Sequence, residues 1–298
     1  MRGIFFMGLA MVIFALQDGL SKHLAATHSP IFITMLRYWL FGFVVLVIVF
    51  RRGVRLTLSS GQPVLQIFRG VLLALEICIA VAAFHYHGLL ESHAIFAFGP
   101  LLVVALSGPV LGEPVGWRRW TAVGVGLIGM LMILRPGTQT LSMSMGLAVL
   151  GMVMFAAYGL ATRRVARTDT AMTSFCYTGL FGAITMTLIG PFFASSMTLA
   201  ESLMMALLCV TGMSGHFLLI KAFEAAQAAV IQPFAYLQTV FAAGVGVVVF
   251  SEPLSGWTVA GCTVVISAGL FAIWREHVRN RAKTSRSPSD GGVVRPKS

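Results

Sequence analysis

Long apolar runs alternate with short polar breaks along nearly the whole chain. The breaks contain proline, glycine and basic residues, which end or interrupt helices. Each run is close to the length of about 20 residues that a membrane-crossing helix needs. The pattern predicts an all-α membrane protein with ten transmembrane helices, at about 4–22, 31–50, 66–86, 94–111, 118–134, 144–162, 171–194, 202–221, 226–250 and 257–274.

A short stretch that occurs twice predicts that the ten helices form two related halves. Glu113-Pro114 follows the fourth run and Glu252-Pro253 follows the ninth, each shortly before a tryptophan. Proline suits the first turn of a helix, and tryptophan is typical of the membrane–water boundary. We therefore predict that Glu113, Pro114, Glu252 and Pro253 form structural turns. Each carboxylate is expected to accept free N–H groups of the helix that its turn opens.

The repeat predicts the domain organisation. Residues 1–137 and 138–275 are expected to be two five-helix repeats, followed by a disordered basic tail at 276–298. Because five is an odd number, the second half has to enter the membrane from the opposite side. Inverted repeats are an architecture of secondary transporters, in which two similar halves rock around a site near the midplane.

Composition and charge exclude a soluble protein and orient the bundle. The chain is 57% hydrophobic and 10% charged, whereas soluble domains carry about 25% charged residues. The net charge of +11 lies in loops and tail and does not predict nucleic-acid binding. With a cytoplasmic amino terminus, 18 basic residues, Arg69 among them, fall on the cytoplasmic side, against Lys22 and Arg135 opposite. The positive-inside rule then predicts two cytoplasmic termini.

Five motifs resemble the ten-helix EamA-type branch of the drug/metabolite transporter superfamily. They are the two Glu-Pro turns, Met35-Leu36-Arg37-Tyr38, Gly99-Pro100-Leu101 and the stretch 232–238. The second half departs from the first in having Tyr177 where the first has Arg37. The resemblance implies a basket-shaped bundle with a central cavity, lined mainly by spans one, three, four, six, eight and nine.

The resemblance implies a secondary transporter of small organic solutes in a bacterial-type inner membrane, and no enzyme. Members of this family export amino acids or metabolites, and some import nucleoside-like compounds or vitamins. We expect amino acids, bulky or aromatic ones in particular, with a nucleoside-like metabolite or vitamin as the alternative. The expected partners are this small-molecule substrate and the lipid bilayer. No glycine-rich nucleotide loop is present, and no cofactor is predicted.

Polar residues at membrane depth are the first site candidates, because burying them in lipid is costly. Glu76, in the middle of span three, is predicted to face the cavity as a proton carrier or amine ligand. Asp18 either contacts a substrate amine or pairs with Lys22, one helical turn away. Arg37 either holds a substrate carboxylate or ties helix ends at the outer face. The candidate set is Gln17, Asp18, Glu76 and His216, together with the aromatic residues Tyr86, Tyr158, Phe234 and Tyr236 as a cavity wall or as ordinary packing.

Other classes of protein fit the sequence less well. Gly212-Met213-Ser214-Gly215 resembles the serine motif of rhomboid-type proteases, but His216 lies only two residues from Ser214 and cannot face it on a helix. The set His85, His87 and His93 is read as a solvated turn, and no metal site is predicted. A receptor or assembly subunit would not need an inverted duplication or buried acids.

Overall fold

The structure is a computed structural model that describes residues 2–113, 116–134 and 142–284. The regular secondary structure of these residues is helical. The side chains of residues 56, 118, 119, 229 and 272–284 are not part of that description. The helices are α1 (Arg2–Leu24), α2 (Pro30–Arg52), α3 (Val54–Leu58), α4 (Pro63–Tyr86), α5 (Leu89–Phe96), α6 (Gly99–Leu111), α7 (Trp117–Leu134), α8 (Met143–Val165), α9 (Ala171–Ile189), α10 (Leu199–Ala225), α11 (Ala228–Ile231), α12 (Tyr236–Phe250) and α13 (Gly256–Thr284).

Hydropathy along these helices confirms the predicted ten-span, all-helical fold. In the described part of the chain, eight helical segments are long and apolar enough to cross a membrane. Two shorter apolar helices, Trp120–Leu134 and Gly256–Phe271, complete the ten. Helix α13 continues to Thr284, into the segment predicted as a disordered tail, and residues 285–298 lie outside the described ranges.

Two spans in corresponding positions of the halves are interrupted helices. The fourth span consists of α5 and α6, which are separated just before Gly99-Pro100. The ninth span consists of α11, a 3₁₀ turn at Gln232–Ala235 and α12. Proline removes a backbone donor and interrupts the helical ladder. Paired interruptions of this kind point to the binding region in transporters with inverted repeats.

The Glu-Pro stretches form the same backbone turn in both halves. Gly112 ends α6 with φ 66°, and Ser251 ends α12 with φ 51°. The N–H of Glu113 donates to Ser107 O at 3.2 Å, and the N–H of Glu252 donates to Gly246 O at 3.1 Å. Each bond reaches back six residues past a left-handed residue, and it satisfies a carbonyl near the helix end. Pro114 lies outside the described residues.

The helices of the two halves make equivalent contacts. Helix α1 packs on α10 and α12, and the corresponding helix of the second half, α8, packs on α4 and α6. Helices α2 and α9 pack on each other, as do α7 and α13. Exchanging each helix for its counterpart reproduces this set of contacts, as expected for two inverted five-helix repeats. The main apolar core lies among α1, α2, α4, α8, α9 and α10.

Close approach of α2 and α9 depends on Gly182. A Cβ atom at Gly182 would lie 2.0 Å from Cε1 of Tyr38, whose ring packs against the glycine. We expect Gly182→Ala to lower the melting temperature of the purified protein, because overpacking costs about 1–3 kcal/mol. Gly146→Ala on α8 is the matched control, since nothing lies within 4 Å of its added Cβ. Equal melting temperatures for the two variants would contradict this packing.

Candidate functional site

A cavity of about 90 Å³ lies in the middle of the bundle. Its walls come from α1, α4, α5, α6, α8, α10 and α12, which belong to the six spans that the resemblance implies, and Arg37 of α2 adds a seventh span. Apolar and aromatic residues form most of the surface, with a few polar groups. The polar lining is Gln17, Asp18, Arg37, Glu76, His93, His216, Gln232, Gln238 and Thr239.

Asp18 joins three helices at the wall of the cavity. Its Oδ2 accepts hydrogen bonds from Nε2 of His93 at 3.1 Å and from Nε2 of Gln238 at 2.7 Å. The alternative pair of Asp18 with Lys22 is wrong, because Lys22 binds Glu252 instead. Asp18 therefore ties α1 to α5 and α12 while it remains part of the cavity lining.

His93 was expected in a solvated turn, and that expectation is also wrong. The residue is 1% exposed because α5 begins at Leu89 and carries it into the bundle. Its ring stacks on Phe84 with centroids 5.2 Å apart. In the described residues no group of histidine, cysteine or acidic side chains has a metal-binding arrangement.

Arg37 lies in the cavity wall and not at the helix ends. Its Nη2 donates to Oε1 of Gln17 at 3.1 Å, and the side chain is buried. The guanidinium also lies close to Gly212, where an added Cβ would be 2.9 Å from Nη2. A glycine at this position of α10 therefore makes room for the charge. We expected Arg37 either to tie helices together or to face a substrate. Its hydrogen bond to Gln17 joins α2 to α1 while its side chain lines the cavity, so the geometry allows both roles.

Glu76 lines the cavity at the middle of α4, as the sequence predicts. Its side chain is 4% exposed. Within the described ranges no hydrogen bond or ion pair reaches its carboxylate, and the charges of Asp18 and Arg37 act on it across the cavity. A buried acid without a direct partner is costly unless a ligand, proton or water compensates it.

The predicted tyrosine wall is not formed. Tyr86 is 66% exposed at the end of α4, and Tyr236 packs against Gly269 of α13. Tyr158 is fully buried behind the cavity, where Arg69 occupies its hydroxyl, and Phe234 packs against the main core. Residue type does not tell which way a helical side chain points. The aromatic lining is instead Phe14, Phe84, Phe96, Phe155 and Phe223.

Arg69 is a structural residue that the charge count had placed on the cytoplasmic side. It is 0% exposed. All its donors are used inside the bundle, where it links α4 to α8 and α9, so it contributes nothing to a surface charge bias. The acceptors are Gln66 Oε1 at 3.1 and 2.9 Å, the Tyr158 hydroxyl at 3.1 Å, the Thr162 hydroxyl at 3.2 Å and the Ser174 carbonyl.

Glu252 caps a helix of the other half. Its Oε1 accepts from the N–H of Leu89 at 2.8 Å, its Oε2 accepts from the N–H of Leu90 at 2.6 Å, and Lys22 forms an ion pair with it. The expectation that it caps the helix opened by its own turn is corrected, since α5 provides the free N–H groups. Burial opposes the charge, but the hydrogen bonds from Lys22 and from these N–H groups hold the pKa of Glu252 below its usual value.

Glu113 is the counterpart of Glu252 at the opposite end of the bundle. Its Oε1 accepts from Nε of Arg163 at 3.2 Å, and Arg163 also donates to the carbonyl of Phe223 at 2.9 Å. Lys22 and Arg163 occupy the last turns of α1 and α8, so the same type of ion pair binds each of the two glutamates. These contacts support a structural role for both glutamates, which stays a prediction.

The serine motif of α10 has no catalytic geometry. The Ser214 hydroxyl donates to the carbonyl of Val210 at 2.8 Å, on an exposed face of the helix. His216 is buried on the opposite side, against Phe14. A nucleophile needs a base within hydrogen-bond reach.

Paired helix interruptions beside a central cavity with a few polar groups are typical of membrane transporters built from two related halves. The chain belongs to the EamA-like transporter family, whose profile matches residues 1–135 and 142–274. It is a multi-pass membrane transporter of small solutes and not an enzyme.

Several curated transporters are similar over most of the chain. An S-adenosylmethionine uptake transporter of Rickettsia felis is 27% identical, over 93% of this chain and 94% of that protein. A riboflavin transporter of Rhizobium johnstonii is 27% identical over 85% and 83%. A pseudopaline exporter of Pseudomonas aeruginosa is 25% identical over 89% and 94%. A solved crystal structure shares the fold, with a TM-score of 0.66 and 19% identity over 94% of this chain and 98% of that one.

Proposed function

We propose that this transporter carries S-adenosylmethionine or a close analogue, a metabolite that joins an α-amino acid end to a flat nitrogen heterocycle. The observation that carries the proposal is the combination of two acidic side chains, Asp18 and Glu76, with one guanidinium, Arg37, in a mostly apolar cavity. An ammonium group is complementary to the acids, and a carboxylate is complementary to the arginine.

Net charge favours this substrate over an ordinary amino acid. The cavity has two acidic side chains, Asp18 and Glu76, against one guanidinium, that of Arg37. S-adenosylmethionine carries an ammonium, a sulfonium and a carboxylate, and its surplus positive charge complements this balance. The aromatic lining offers surfaces on which an adenine ring can stack. The similarity to S-adenosylmethionine uptake transporters supports the same choice.

Transport by alternating access is part of the proposal. The cavity of about 90 Å³ is smaller than the roughly 300–1,000 Å³ of typical ligand sites. S-adenosylmethionine is therefore too large for the cavity, and its entry requires the helices to separate at one end. We propose that the halves rock around the cavity, with the pair Lys22–Glu252 closing one end and Arg163–Glu113 the other.

Counterflow in proteoliposomes tests the substrate. Purified protein in vesicles loaded with unlabelled S-adenosylmethionine is expected to accumulate the radiolabelled compound. Riboflavin, phenylalanine and tryptophan are the competitors. Arg37→Ala should abolish the accumulation, whereas Arg51→Ala, at the exposed end of the same helix, should leave it unchanged. Counterflow of an aromatic amino acid without counterflow of S-adenosylmethionine would refute the substrate and return the choice to amino acids.

We further propose that both termini are cytoplasmic and that the protein resides in a bacterial inner membrane. This topology places Ser59 and Ser196 on opposite sides of the membrane. Both residues are exposed, Ser59 before α4 and Ser196 before α10. Introduced as cysteines in a cysteine-free chain, Ser59→Cys should react with an impermeant maleimide only from the cytoplasm and Ser196→Cys only from outside. Reaction of both from one side would contradict the inverted arrangement.

A further inference from the structure

His216, like Glu76, is a polar residue of the cavity without a hydrogen-bond partner among the described residues. It lies on α10, is 5% exposed, and lines the cavity between aromatic rings. Its ring centroid is 4.8 Å from that of Phe14 and 6.1 Å from that of Tyr158, to which it is perpendicular. Phe14 in turn packs against Gly215, where an added Cβ would lie 2.5 Å from the phenylalanine ring. The position of the imidazole is therefore defined by packing alone.

Neither ring nitrogen of His216 has a hydrogen-bond partner within the described part of the chain. A buried polar atom without a partner costs about 1–3 kcal/mol. Whichever protonation form the ring adopts, at least one N–H remains unsatisfied. By contrast, Asp18, Arg37 and His93 all form hydrogen bonds. A ligand that forms a hydrogen bond with the ring would remove the free-energy cost of this unsatisfied N–H group.

The surroundings of His216 indicate which part of a substrate would reach it. Phe14 and Phe155 lie edge to face with centroids 6.5 Å apart, and together with His216 they form an aromatic end of the cavity. On α1 this end is one helical turn from Asp18, in the direction of Arg2. A flat ring fits here, while the charged end of the same molecule meets Asp18, Glu76 and Arg37.

We propose that His216 is a specificity-determining residue that forms a hydrogen bond with the nitrogen heterocycle of the substrate. This inference rests on the proposed function, because it assumes a substrate with a charged amino acid end and a ring. Adenine offers ring-nitrogen acceptors and an exocyclic amino donor, so it can satisfy either tautomer of the imidazole. Turning toward the ligand breaks no existing hydrogen bond of His216.

Two probes separate the ring from the amino acid end. S-adenosylmethionine has both, whereas S-methylmethionine keeps the sulfonium amino acid and replaces the adenosyl group by methyl. In proteoliposomes, His216→Phe is expected to raise the KM for S-adenosylmethionine about tenfold, the effect of losing one hydrogen bond of ordinary strength to a buried site. Inhibition by S-methylmethionine should be unchanged. His216→Gln, which keeps a donor and an acceptor, should recover part of the loss.

Ser214→Ala is the matched control, two residues away on the exposed face of α10, and should behave as the wild type. A wild-type KM in His216→Phe, or equal weakening of both probes, would overturn the role of His216 and leave the proposed substrate intact. Absence of S-adenosylmethionine counterflow in the wild type would refute the proposed function and this inference with it. If His216→Phe does not fold, the same comparison is made with His216→Leu, which also lacks a hydrogen-bonding group, and a wild-type KM for S-adenosylmethionine in that variant would overturn the proposal.

Discussion

Glu76→Gln is expected to reduce counterflow at least about tenfold while the purified protein keeps its melting temperature and elution profile. The substitution preserves shape but replaces the carboxyl group that faces the cavity at the middle of α4 by an amide, which cannot ionise or pair with an ammonium group as a carboxylate. Losing the partner of a desolvated charge costs about 2–5 kcal/mol in comparable sites, which corresponds to tenfold or more. Because the carboxylate has no hydrogen bond to the described residues, folding should depend on it little.

The measurement for Glu76 is the rate of counterflow against pH for the wild type and the variant. Glu91→Gln is the matched control, since Glu91 is a carboxylate on the neighbouring helix α5 that is more exposed and does not line the cavity. Unchanged rates together with an unchanged pH profile would mean that Glu76 is a packing residue. Loss of folded protein would mean that the carboxylate has a structural partner.

Glu252→Gln is expected to lower the stability of the protein by about 1.5–3 kcal/mol, the range for hydrogen bonds to charged groups. It removes the ion pair with Lys22 and weakens the cap on the first N–H groups of α5. Substrate affinity should change less than stability, because Glu252 does not line the cavity. Differential scanning fluorimetry of the purified protein measures the effect, with Glu91→Gln again as control.

The pH dependence of that stability has a definite sign. The pKa of Glu252 is lower in the folded protein than its usual value, so its stabilising contribution is present above about pH 4.3 and is lost as the pH falls through the folded pKa. The melting temperature of the wild type should therefore fall toward that of Glu252→Gln in acid. A variant that keeps the wild-type melting temperature at neutral pH but no longer binds substrate would show that Glu252 acts in transport.

Hydropathy and repetition were sufficient for the fold. A chain in lipid has to satisfy its backbone hydrogen bonds within each span, so an apolar run of about 20 residues has the helix as its natural conformation. The two Glu-Pro stretches form equivalent turns at Gly112 and Ser251, as the repeat predicts. The repeat boundaries at 137 and 138 remain a prediction, since they lie in a segment outside the described residues.

The site could be predicted only in part, because a contact between distant helices leaves no local pattern. Glu76, Asp18, Gln17 and His216 line the cavity, and their part in substrate binding stays a prediction. Lys22 is one helical turn from Asp18, but it forms its ion pair with Glu252, which the turn after α12 places beside it. His93 could have been found only by recognising that α5 begins at Leu89 and points inward.

Sequence alone thus determined the features that depend on polarity along one helix, namely the spans, the twofold repeat and the depth of the polar residues. Tertiary structure decided which side of each helix faces the cavity, because neighbouring helices set the rotation of a span and both faces here are apolar. That is why Tyr158 and Tyr236 are buried away from the cavity while Phe14 and Phe155 line it. It also decided that Arg69, which the charge count had placed on the cytoplasmic side, lies inside the bundle, where three side chains of α4 and α8 and one carbonyl of α9 accept its hydrogen bonds.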